Sequence, residues 1–161
     1  MVGTGVVGSG GVRLGALGVC VGCGVTSLAN FTDTNIDNAA RMNTLVGVSA
    51  SVYASAEDTV NTYTGAKRVG VMLSSPNGLL SLSLLTNLSV TTYLNGVAQE
   101  TSDSGGLLGL QLLGLLNDSS RQLVVINTTQ NFDEVEIEQA AVVGALSALD
   151  LYAVCVAPPA L

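Results

Sequence analysis

The sequence predicts an all-β protein, an antiparallel β-sandwich of jelly-roll type preceded by a Gly/Val-rich extended segment. Three observations predict it. Apolar residues recur with period two from residue 44 onward, and Gly, Asn, Asp and Ser separate the runs. The first 25 residues contain nine glycines, each costing about 1 kcal/mol against alanine in a helix interior, so extended chain is favoured there over helix. The chain divides accordingly into a leading segment, residues 1–25, and a sandwich domain, residues 26–161.

Along the domain, Val46, Val48, Ala50 and Val52 alternate within Thr44–Ser55, as do Val69, Val71 and Leu73 within Lys67–Leu73. Leu88, Val90, Thr92 and Leu94 follow. Asn95-Gly96 then supplies the two positive-φ positions of a type I′ hairpin before Val97–Thr101. Gln122–Thr128 is a Val/Ile-rich strand. Asp133–Gln139 sets Val135 and Ile137 against Glu134, Glu136 and Glu138, whose charges read as a solvated face that discourages edge pairing. Leu149–Val156 closes the domain with Leu149, Leu151, Ala153 and Cys155 on one side. A leucine-rich echo, Gly78–Leu85, Gly106–Leu113 and a degenerate Gly144–Leu149, reads as connectors of about one helical turn that plug the sandwich ends.

Composition narrows the function. Charged residues are 11 %, less than half of the roughly 25 % usual for a soluble domain, while 15 Ser, 14 Thr and 11 Asn supply neutral polarity. That balance suits an extracellular or cell-surface β-protein. There is no His, which removes Ser-His-Asp and Cys-His catalysis and imidazole metal sites. An enzyme is not expected. Five scattered basic residues are too few to track phosphates, so no nucleic-acid partner is expected. Arg13 interrupts the apolar start of the chain, and no transmembrane segment or export leader is read there.

Cys20 and Cys23 form a CxxC in β-like, glycine-flanked sequence, with Cys155 apart from them. A structural disulfide is expected, either Cys20–Cys23 or one of them with Cys155; zinc needs about four ligands, more than three Cys supply without His. Asp33, Asn35 and Asp37 place side-chain oxygens at every second position. They read as a self-bonded Asx turn or as the first half of a calcium loop, the latter departing from an EF-hand at Asn38, where glycine is required. No other cofactor is expected.

Asn30–Ala40, Asn43–Leu45, Phe132–Ile137 and Leu149–Val154 together resemble the discoidin-like, galactose-binding-like modules of bacterial cell-surface and adhesin proteins, notably of Bacteroidota. The resemblance implies a jelly-roll sandwich with an Asp-bearing loop after its first strand. It carries calcium or sugar contacts over to Asp33 and Asp37 only; the Trp usual after that loop is missing here.

Two functions follow as expectations. The first is a self-assembling surface or filament subunit, an oligomer or polymer with itself. In it Val2, Thr4, Val6 and Val7 belong to a strand donated to a neighbour's groove or sheet edge. The second is a carbohydrate-binding adhesin module that recognises surface glycans, with calcium in the Asp33–Asp37 loop.

Overall fold

The computed structural model describes residues 1–76, 80–102, 113–115, 118–142 and 146–159. It is a sandwich of two antiparallel sheets. The strands are β1 (Val6–Val21), β2 (Gly24–Thr26), β3 (Ala40–Thr44), β4 (Val46–Asp58), β5 (Lys67–Ser74), β6 (Leu88–Leu94), β7 (Val97–Ser102), β8 (Leu113–Leu115), β9 (Asp118–Thr128), β10 (Glu134–Ala140) and β11 (Ser147–Ala157). One sheet runs β1-β4-β10-β6-β7, the other β2-β3-β11-β5-β9-β8. No helix among the described residues is long and apolar enough to cross a membrane.

The alternation of the sequence builds the core. Val52, Ala54 and Ala56 from β4, Val135 and Ile137 from β10 and Val90 from β6 face Val69, Val71, Val124, Leu149 and Leu151 of the second sheet. β5 is buried on both faces, because the Leu123 side chain lies over Gly70, where a Cβ would come within 3.0 Å of it. Asn95 and Gly96 take φ of +51° and +75°, as a type I′ turn requires. The first leucine-rich connector ends in a single helical turn, Leu82–Leu85, with Leu80 and Leu85 in the core. Most of the second, residues 106–112, lies outside the described residues, as do Gly144 and Ala145 of the third.

Two strands depart from simple alternation. In β4, Val46 and Val48 are exposed whereas Val52 is buried. Ser49, at φ +49°, breaks the phase: a Cβ on Gly47 would lie 3.7 Å from that of Ala50, so residues three apart share a side. In β11 the ladder to β5 shifts between Leu151 and Ala153. Val154 and Val156 therefore pack on the core, and Cys155 is exposed rather than aligned inward with Leu149 and Leu151.

A third departure concerns the glutamates. β10 is an inner strand, paired to β4 on one side and β6 on the other, so Glu134, Glu136 and Glu138 guard no edge. Glu136 is buried.

Polar ties join the two sheets. Gln139 of β10 donates to Ser147 Oγ of β11 at 2.8 Å, and Ser147 is itself hydrogen-bonded to Thr44 of β3. Glu100 of β7 accepts from the N–H groups of Thr129 and Gln130 just beyond β9. At the end of β4, Asp58 accepts from the N–H groups of Val60 and Asn61 and from the Tyr63 hydroxyl at 2.9 Å, while the Tyr63 ring stacks on Phe132. Burial alone raises the Asp58 carboxyl, but the bonds from Asn61, Tyr63 and Val60 outweigh it and hold the pKa below the ordinary 3.8. Burial, then the bond to Asp58, pushes the Tyr63 phenol up to about 12.

A carboxyl held below its ordinary value adds stability that is present above that value and lost as pH falls through the folded one. Asp58→Asn is therefore expected to cost about 2 kcal/mol at neutral pH. It should also flatten the fall of Tm with acidification below the ordinary Asp value of 3.8, with Glu100 supplying the slope that remains. Thermal melts across an acid pH series check both.

Candidate functional site

The feature that sets this sandwich apart is its first strand. β1 lies at the end of its sheet and pairs with β4 from Val6↔Asp58 to Val21↔Val46. Its other margin has no partner strand among the described residues. Glycines on its inward side leave room for β2 and the turn Leu28–Phe31: a Cβ on Gly8 would sit 3.3 Å from Leu28 Cγ, and one on Gly10 3.0 Å from Tyr53 O and 3.2 Å from Val25 Cγ2. Close approach of a second segment thus replaces side-chain burial. The strand is held mainly by its main-chain ladder.

The residues expected to act as a donated strand are placed in cis. Val6 and Val7 pair with Asp58 and Glu57 of the same chain. Val2 precedes and Thr4 lies in the turn that leads into β1, both exposed, beside glycines whose backbones bond inward, Gly3 N–H to Thr32 O at 2.7 Å and Thr59 N–H to Gly5 O at 2.9 Å. The boundary drawn at residue 25 falls inside β2.

One charged side chain fastens β1 to the rest of its sheet. Arg13, the sole ionisable side chain in residues 1–32, crosses the outer face above the Tyr53 ring, 3.9 Å from its centroid. It reaches Glu136 with two nitrogens, at 2.8 and 2.9 Å, and Glu138 at 2.8 Å. Tyr93 Oη donates to Glu136 at 3.2 Å, and Ser51 donates to Glu138. The Arg13 side chain is 43 % exposed and that of Glu136 only 6 %, so the guanidinium is the lid on a buried carboxylate. These bonds, with the charge of Glu136 and Glu138, raise the Arg13 pKa further.

Beyond Ser51↔Ala140, β10 leaves β4, and the remaining β1–β4 pairing continues as a two-stranded arm. Gly15–Gly18 bulges out of β1 there, and a Cβ on either terminal glycine would collide with Ser49. Leu17 stands at the crest with φ +60° and is 98 % exposed. At the tip, Cys20 and Cys23 are disulfide-bonded, with Cα atoms 5.7 Å apart, where the chain passes from one sheet to the other. Cys155 takes no part and is a free, exposed thiol.

The Asp33–Asp37 loop is a chain of Asx turns. Asp33 Oδ1 accepts from the Asn35 N–H at 2.8 Å, Asn35 Oδ1 from the Asp37 N–H at 3.1 Å, and Asp33 Oδ2 from Asn38 Nδ2 at 2.9 Å. Arg121 spans Asp37 Oδ1 and the Ile36 carbonyl while lying over the Tyr152 ring. These oxygens face N–H donors, and no group of three His, Cys, Asp or Glu among the described residues can hold a metal ion. As arranged, the loop does not offer the six to eight oxygens that calcium takes.

The residues that sequence reasoning passed over are Arg13 with Glu136 and Glu138, and Val19 and Val21 with Val46 and Val48. A lone arginine in a glycine-rich strand and three alternating glutamates were the available signals, though over a hundred residues separate them. Neither a protein-family model nor a curated protein matches this chain.

Replacing Arg13 with Met keeps the stem over Tyr53 but strips Glu136 of its cation. The expected loss is about 1–2 kcal/mol, given that Arg13 is partly solvent-screened. Amide exchange should accelerate most in β1. Hydrogen exchange with mass readout checks both the loss and its location.

Proposed function

We propose that the protein is a non-enzymatic structural subunit, extracellular or at the cell surface, that assembles with copies of itself by adding strands edge to edge. One observation carries this reading: a long sheet edge whose outward margin has no partner strand among the described residues and whose single charge is turned back onto its own sheet. Exposed edges are normally blunted by lysines, prolines or inward charges. Residues 6–14 have no proline, and their one charge is occupied by Glu136 and Glu138. That regular stretch, roughly 30 Å long at ~3.3 Å per residue, ends at the Gly15–Gly18 bulge, which fixes how far a neighbour's strand runs alongside.

The cis pairing of β1 alters how the strand serves. The strand keeps its place on β4, and the neighbour adds to its free side, gaining main-chain hydrogen bonds on a surface with little charge to repel it. The disulfide agrees with an oxidising compartment. Assembly is favoured over glycan capture because both Asp33 oxygens accept from Asn35 and Asn38 of their own loop and Asp37 Oδ1 accepts from Arg121 of β9.

The test places gatekeeping lysines on the edge. Val7→Lys with Val12→Lys, two exposed positions, should leave the circular dichroism of the sandwich intact and abolish assemblies larger than a dimer in negative-stain images. Particles of unchanged size would overturn strand addition.

A further inference from the structure

We propose that the tip of the β1–β4 arm is a docking face for a second copy of this chain, the two arms packing valine face to valine face about a two-fold axis. The proposal rests on the self-association reading and names the partner and the contact. Across the arm, Val19 pairs with Val48 and Val21 with Val46, so four β-branched side chains form a two-by-two patch. They are 59 %, 50 %, 64 % and 55 % exposed. The opposite side of the ribbon is already covered: Gly47 lies against Ala141, where a Cβ would come within 2.5 Å, and against the Cys20 sulfur. One face of the arm is thus packed on its own body, and the other leaves its valines half exposed or more.

The exposed face is built at a conformational cost. Ser49 and Leu17 both hold positive φ, and a Cβ on Gly18 would collide with the Ser49 backbone oxygen. The slip at Ser49 is what turns Val46 and Val48 away from the side occupied by Gly47 and Ala50. Without it the valines would continue the inward pattern of Val52 and Ala54. The Cys20–Cys23 bond then ties the tip.

Charge selects the occupant. The protein carries a net charge of −7, yet residues 14–26 and 42–56, which form the arm and its root, contain no Asp, Glu, Lys or Arg. Arm to arm, two copies of this anionic chain meet without bringing carboxylates together. A patch that meets itself is what a two-fold contact requires. A lipid surface is disfavoured by the same residues: the arm has no basic side chain and no Trp, and the net negative charge opposes an anionic leaflet.

The experiment is sedimentation equilibrium of the full chain across ~1–300 µM, the span in which small interfaces associate. The wild type should dimerise. Val48→Asp should weaken the dimer at least ~30-fold, the effect of losing a central contact. Val21→Asp, at the most exposed of the four valines and so least able to disturb the core, should weaken the dimer likewise. Mixing Val48→Asp with Val48→Lys chains should restore a heterodimer, since a two-fold contact brings position 48 near its counterpart. A wild type that stays monomeric throughout, folded variants that dimerise unchanged, or a monomer that floats with phosphatidylcholine vesicles through the four valines would each overturn the proposal. Failure of edge addition looks different: large particles unaffected by the Val7→Lys and Val12→Lys pair.

Discussion

The guanidinium of Arg13 lying across Tyr53 onto Glu136 and Glu138 is the interaction on which the arrangement of the first strand depends. β1 is rich in glycine and buries little side chain, so its place on β4 rests on main-chain hydrogen bonds, each worth only about 1 kcal/mol net. Such a strand frays unless something anchors it to the centre of the sheet. Arg13 does so by spanning β4 to β10, and in the same contact it compensates Glu136. The interaction also takes the one charge of the edge out of play, and a neutral edge follows from it.

The local geometry around β1 is consistent with that economy. Val25 and the Leu28–Phe31 turn pack closely over Gly8 and Gly10, where a Cβ would crowd them. The Gly15–Gly18 bulge marks the end of regular pairing, and the disulfide holds the chain as it changes sheets. Asp58 and Tyr63 close the far end of the same β1–β4 pair, where Val6 meets Asp58. The strand is therefore fixed at both ends and at its middle, while its other side has no partner strand among the described residues.

Most of the sandwich was legible in the sequence because period-two alternation and Asn95-Gly96 act locally. The Cys20–Cys23 pairing was one of two open alternatives, and the single helical turn before β6 matched the leucine-rich connector. What alternation does not reveal is where it slips: Ser49 looks like any serine, yet its positive φ separates Val46 and Val48 from Val52. The same limit misaligned Cys155 with Leu149. The glutamates were misread as a solvated face because strand order is a long-range property. Nothing near Glu136 in the chain announces that β4 and β6 flank it, or that an arginine 123 residues away will neutralise it. The leading segment was read correctly as extended, but its choice of its own β4 as partner is equally non-local.

The most direct test of edge addition is amide hydrogen exchange along residues 6–14, measured in dilute and in concentrated solution. In an edge strand alternate N–H groups point away from the sheet and exchange freely. The account predicts that these outward amides gain protection as concentration rises, while those bonded to β4 change little. Outward amides that exchange equally fast at both concentrations would contradict it.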